Sequence, residues 1–359
     1  MIYTITLFLS LILCWYNDSN KNNHRYSISI GYCIILWTIL IGGQYNVGTD
    51  YDSYYEIFTD SDALNLYYSK GEYLFFYLVH SLNRIGINGQ QIFIVIALLN
   101  SVLLFKILSY IDKKNTFLFV FLFITVSTVF HNQMNGIRQY MAVYLITLMI
   151  ILLLRKRFFI SALLLIASYY LHNSALLLVL FIPFLLIMTN KVRNTKLILS
   201  LLLIASVISL FSFEEKVKEF LYLFSEYQHY AESDYLKDIS FKGKVTKLIF
   251  VPIYIYALLS VYKSGKLNNY ESNLFLVGIY SYIIKTLFLV TSLTNRLGFY
   301  FLILSILPLF FLLKHLMYKR TASIFTILLY VFLFQYLVKV VLFPVGEYSY
   351  ASCYFQWLL

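Results

Sequence analysis

The residues able to do chemistry in this sequence are few, and they stand out against an apolar background. They are Asp50 and Asp52 in NVGTDYDSYY (46–55), Glu72, His131 and Arg138 in HNQMNGIRQYMA (131–142), His172 in LHNSA (171–175), and Arg296 in NRLGFYF (295–301). Arg138 lies in the predicted first turn of a helix beside Asn135 and Gln139, where the helix N-terminus adds partial positive charge. A guanidinium there suits an anion, because its fork can hold two phosphate oxygens at once; the alternative is snorkelling to lipid headgroups. Arg296 occupies the equivalent place on another helix, with the same alternative. His172, followed by Asn173 and Ser174, can donate to a phosphate or accept a proton; an interface histidine is the competing reading. His131 reads as a polar cap. The GTDYDSYY segment offers carboxylates among tyrosines, a mixture that suits sugar binding, and a carboxylate there can act as general base for an acceptor hydroxyl. A solvated loop is the alternative for Asp50 and Asp52, and the same choice applies to Glu72. Cys14, Cys33 and Cys353 are widely spaced with no CxxC, so neither a metal site nor a disulfide framework is expected.

These residues are carried by a chain of 359 residues that is 60% hydrophobic, 19% aromatic and only 13% charged. Soluble domains hold about a quarter charged residues, so a mean hydropathy of +0.75 makes this an all-α polytopic membrane protein. About twelve segments approach the length of a span: 1–16, 27–43, 90–111, 116–131, 136–154, 158–171, 173–189, 197–212, 247–262, 272–291, 297–313 and 321–342. The first is read as a retained span, since no basic n-region or cleavage site accompanies it. A net charge of +11 would raise nucleic acid as a partner of a soluble protein. Here the basic residues fall instead in alternate loops: Lys21 and Arg25, Lys113 and Lys114, Arg155–Arg157, Lys191–Lys196, Lys263 and Lys266, and Lys314–Arg320. The positive-inside rule puts these loops in the cytoplasm and both termini outside. Asp18, Asp112 and Glu271 then lie on the inner side, and the remaining acids outside, mostly in two long loops, 44–89 and 213–246. Long loops usually have work to do, which points to an outward-facing site. Within them, 73–84 is predicted as an interfacial or re-entrant helix with Leu74, Tyr77, Leu78 and Ser81 on one face, and Glu214–Tyr230 as an amphipathic surface stretch. The whole chain, 1–359, is expected to form a single integral membrane domain. No internal repeat is evident, which lowers the expectation of a secondary transporter.

Taken in order, G48-T49-D50-Y51 with Tyr54 or Tyr55, Glu72 before an aromatic helix, I137-R138-Q139 with Ala142, L171-H172-N173-S174-A175, and N295-R296 followed by Tyr300 and Phe301 resemble the EpsG family of Wzy-type polymerases. The likeness extends from about residue 45 to 315, and the tail FPVGEYSYASCYF, with Glu347 and Tyr348, resembles the family's end only loosely. The resemblance implies a GT-C-like membrane glycosyltransferase in the bacterial cytoplasmic membrane, with its site on the extracytoplasmic side. It would polymerise undecaprenyl-diphosphate-linked repeat units into O-antigen, capsule or exopolysaccharide. It further implies no metal and no cofactor, glycan donor and acceptor on lipid diphosphates, and a chain-length regulator as partner. On that reading Arg138 and Arg296, assisted by His172, oppose the diphosphate's charge, and Asp50 is the base, with Asp52 and Glu72 in reserve. Tyr51, Asp52, Tyr54, Glu72, Gln139, Asn295 and Tyr300 form the expected substrate contacts. The rival readings are a lipid-linked oligosaccharide flippase, favoured by Lys285 and Lys339 within predicted spans, an O-antigen ligase or acyltransferase, and a structural subunit.

Overall fold

A computed structural model of the chain describes residues 2–19, 23–222, 238–319 and 322–344. Helix occupies all the predicted apolar segments, and among the described residues the extended pairing is confined to one bridge, Asp238 to Thr291. Among the described residues, six helical stretches are long and apolar enough to cross a membrane: Gln90–Ile111, Ile137–Leu154, Asn173–Lys191, Phe241–Tyr262, Ser292–Tyr318 and Ser323–Val340. Ile28–Gly42, Thr116–Thr125, Phe158–Leu171 and Thr195–Ile208 are apolar but shorter. The chain divides into two compact units, Met1–Val179 with Leu316–Leu359, and Leu180–His315.

The first unit is built from α1 (Ile2–Ser19), α2 (Asn23–Gly42), three short helices α3 (Tyr51–Thr59), α4 (Ser61–Ser69) and α5 (Tyr73–Arg84), then α6 (Gln90–Ile111), α7 (Thr116–Thr125), α8 (Val129–Asn132), α9 (Ile137–Leu154) and α10 (Phe158–Leu171). Packing joins α1 to α2 and α7, α2 to α6, and α9 to both α6 and α10. Gly42 lets α2 and α6 meet closely, since a Cβ there would lie 2.6 Å from the Ile94 Cα. At one end of this unit Asp18 accepts from the Thr116 and Phe117 amides, at 3.1 and 2.9 Å, and so caps α7 from another helix. At that same end Arg155 donates to the Tyr110 carbonyl at 2.8 Å. Asp112 braces the turn there by accepting from the Lys114 amide and the Asn115 side chain. The opposite end carries α3, α4 and α5. At about 1.5 Å per residue, the length of α6 separates the two ends by roughly the hydrocarbon thickness of a bilayer.

Two predicted boundaries change, and one helix keeps its bounds while its protein-facing side is a different one. The segment 116–131 is interrupted after Thr125, because Thr128 adopts a left-handed φ of 63° and Ser127 bonds back to the Phe123 carbonyl. Helix 73–84 forms as Tyr73–Arg84, with its predicted Leu74–Tyr77–Ser81 face turned away from the protein. Its protein-facing side is Phe75, Phe76 and Val79, whose larger rings pack on Phe58, Tyr67 and Tyr68. In the second unit helix begins at Phe241, before the predicted 247, because Ser240 caps it and buried Lys244 donates to the Phe211 carbonyl at 2.8 Å. The amphipathic stretch is helical over Glu214–Tyr222; its continuation to Tyr230 lies outside the described residues, as do Cys353, Glu347 and Tyr348.

Candidate functional site

The 44–89 loop is positioned by polar contacts to the helix ends that flank it. Gln90, at the start of α6, donates to the carbonyls of Gly42 and Gln44 at 2.7 Å each, and accepts from the Tyr51 hydroxyl at 2.7 Å. Tyr51 is buried, and its hydroxyl ties α3 to the end of α6. Gly48 has φ +81° and lies so close to Asn135 that a Cβ would be 2.3 Å from the Asn135 Oδ1. That oxygen accepts from the Asp50 amide at 3.0 Å, which seats the GTD turn against the break between α8 and α9. Asp50 sits at the N-cap position of α3, half-buried, with its own Oδ1 accepting from Thr49. Asp52, in the first turn of α3, is exposed.

Beside this turn lies a charged cluster drawn from α5, α9 and α10. Glu72, just before α5, has a side chain 5% exposed, and its Oε2 accepts from Arg138 Nη1 in the first turn of α9. Its Oε1 meets His172 Nδ1 at 3.1 Å and the Asn173 amide at 3.3 Å, at the end of α10. Burial would raise the Glu72 carboxyl, but the His172 hydrogen bond and the Arg138 charge outweigh it and hold the group below its ordinary range. Tyr67 of α4 lies under the guanidinium, 4.2 Å from ring centre to Arg138 Cζ, and Tyr54 accepts from the Arg138 amide at 3.4 Å. The GTD turn and the cluster are joined through the backbone contacts of the Asp50 amide to Asn135 and of the Arg138 amide to Tyr54. Arg138 Nε is buried and has no hydrogen-bond partner among the described residues. The acid therefore lies underneath, while the Arg138 and His172 side chains remain 19% and 23% exposed.

The structure thus brings Asp50, Tyr54, Glu72, Arg138 and His172 into one region of the first unit, with Tyr51 as its anchor and Gln139 half-buried on α9 beside Arg138. Asn295, Arg296 and Tyr300 belong to the second unit. There Ser292–Gly298 is opened by a Thr291–Thr294 capping box, Arg296 is exposed and Tyr300 is buried. His131 is buried against Tyr3 and meets the Tyr336 hydroxyl at 3.2 Å, the packing role of a core histidine. Arg138 is not the lone cation its position suggests, because its partner Glu72 is 66 residues away in sequence. Tyr67 escapes a sequence reading, being one of 34 tyrosines. Asn135 and Asn173 stand inside the quoted motifs, yet nothing in their spacing reveals what they contact.

Lys70 adds a cation at the rim, 5.1 Å above the Tyr67 ring, and its carbonyl accepts from the Asn173 side chain at 2.5 Å. Chemically, the arrangement can present a guanidinium and an imidazole on a buried acid, next to a carboxylate that is half open to its surroundings. Among the described residues no three His, Cys, Asp or Glu side chains are grouped so as to hold a metal ion.

The sequence model described as the EpsG family matches residues 27–354. No curated protein and no solved structure matches the chain.

Proposed function

The chain belongs to the EpsG family, of Wzy-type polysaccharide polymerase-like proteins, and from that premise we propose that it polymerises lipid-diphosphate-linked oligosaccharide repeat units by glycosyl transfer at the outer face of the bacterial cytoplasmic membrane. The observation that carries this reading is the Glu72 carboxylate lying beneath Arg138 and His172. In the transfer, the bond between the donor's anomeric carbon and its diphosphate oxygen breaks, and the diphosphate leaves with the electron pair. Fixed cations stabilise that charge at no cost of reorganisation during the reaction. Glu72 holds the Arg138 fork and the His172 ring in place for it. The acceptor hydroxyl forms the new bond and loses its proton to a base. A carboxylate already accepting from Arg138, His172 and Asn173 is a poor base, so Glu72 becomes a positioning residue and Asp50 takes the proton, with Asp52 behind it. Asn295 and Arg296, half-buried and exposed, are a separate candidate contact for phosphate or glycan, and buried Tyr300 supports them from within the second unit. Tyr54 and Tyr67 offer ring faces beside the guanidinium, and Gln139 a polar contact.

The wider reading has about twelve crossings in a single GT-C-like membrane domain, the undecaprenyl chain entering between helices and a chain-length regulator docking outside. The test is a deletion strain complemented with wild type or Arg138→Ala, its surface polysaccharide run on a gel and its protein level checked by immunoblot. Wild type should restore a ladder, whereas Arg138→Ala, and Arg138→Met with Glu72→Leu, which leaves no unpaired buried acid, should leave a single repeat unit with the protein still present. A ladder of ordinary length from either variant would overturn the assignment. Accumulation of lipid-linked units inside the deletion strain would favour a flippase instead.

A further inference from the structure

A second charged feature lies in the other unit and takes no part in the chemistry above. Between α11 (Leu178–Lys191) and α12 (Thr195–Ile208) the chain turns through residues 192–194, and three side-chain hydrogen bonds fasten this turn. The Tyr280 hydroxyl donates to the Val192 carbonyl at 2.5 Å and the Tyr262 hydroxyl to the Arg193 carbonyl at 3.3 Å. Arg193 Nη2 donates to Asn273 Oδ1 at 2.5 Å. Beside the turn, the helix from Val251 ends in a wider π turn, Leu258–Tyr262, which delivers Lys263 to the same place. The result is a cavity of about 470 Å³ lined by Arg193, Asn194, Lys196, Leu199, Leu259 and Lys263. Three cations from two separate helix junctions converge there with no acid in the lining. The nearby Glu271 is engaged by Lys314 at 2.9 Å. The positive-inside rule explains basic residues in these loops, but it requires neither a cavity nor a fixed turn. The α12 amides are already capped by Asn194 Oδ1, at 2.9 and 3.4 Å, so side chains must supply the recognition.

We propose that this cavity binds the phosphodiester headgroup of an anionic membrane lipid, with Arg193, Lys196 and Lys263 around the phosphate and Leu199 and Leu259 against the start of its acyl chains. A basic cavity between helix ends on the side of the basic loops is where such headgroups are held. Its apolar rim, where Leu259 is 44% exposed, favours a lipid over a free anion. The test is native mass spectrometry of the full chain purified in detergent, loaded with phosphatidylglycerol or with phosphatidylcholine of the same chains. Wild type should retain phosphatidylglycerol and not phosphatidylcholine, and Lys196→Gln with Lys263→Gln should lose about fivefold in retention per lysine removed. Lys196→Arg with Lys263→Arg should retain it, and Lys113→Gln with Lys114→Gln, in an exposed loop, should leave it unchanged. Equal retention of the two lipids by wild type would overturn the proposal without recourse to any variant, as would undiminished retention in the Gln variant. Displacement of the lipid by inorganic phosphate would assign the cavity to a soluble anion and equally overturn it.

Discussion

Glu72 shows how much one carboxylate can organise. It was readable in sequence as an acid before an aromatic helix, with a base as one of its possible roles; the structure gives it a guanidinium, an imidazole and an amide instead. Removing one partner of a buried ion pair costs about 3–5 kcal/mol, whereas exchanging both for apolar residues is close to neutral. Glu72→Leu should therefore lower the thermal midpoint in detergent markedly, and Glu72→Leu with Arg138→Met should recover most of it while making no polymer. Recovery of both stability and polymer would separate the pair from the chemistry. Because the folded carboxyl titrates below its ordinary range, the stability it contributes is complete above the unfolded value, about pH 4.3. That contribution declines as pH falls below this value, and is gone once pH passes the folded one. The midpoint gap between wild type and Glu72→Leu should accordingly be constant near neutrality and close in acid. A gap that instead widened toward acid would show that Glu72 is not held ionised by its partners.

At the level of elements, the GTD turn is set by backbone geometry as much as by side chains. Gly48 combines a left-handed φ with direct contact to Asn135, whereas Gly71, also left-handed at +79°, has nothing within 4 Å of its added Cβ. An L-residue in that conformation costs about 1–2 kcal/mol by itself, so Gly71→Ala should be tolerated. Gly48→Ala adds a collision, pushes Asp50 off its Asn135 acceptor, and should abolish the ladder with the protein still present. Equal activity of the two variants, measured on the same gel, would show that the seat of the turn does not matter. The helix over 73–84 was legible from its composition, but which side faces the protein was decided by Phe75 and Phe76 finding rings on α3 and α4. The break in 116–131 was not legible at all, since neither Ser127 nor Thr128 is a habitual helix breaker and both act through local backbone bonding.

For the molecule as a whole, the polar cluster of the first unit and its basic loops lie at opposite ends of α6. In a Cys-free background, Ser61→Cys on α4 should react with a membrane-impermeant maleimide on intact spheroplasts, and Lys113→Cys only after permeabilisation. The reverse pattern would invert the orientation and place the site inside. Sequence by itself determined that this chain is helical and membrane-embedded, because in lipid every backbone group must be satisfied within its own segment. It also determined which residues carry charge at a cost, and the order of motifs that marks the family. Tertiary structure alone decided that Arg138 has a counter-ion, that Tyr67 lies beneath it, and that Arg193, Lys196 and Lys263 share a cavity. Those facts depend on pairings between residues tens of positions apart, and hydrophobic periodicity, which is read one helix at a time, carries no record of which helix ends will meet.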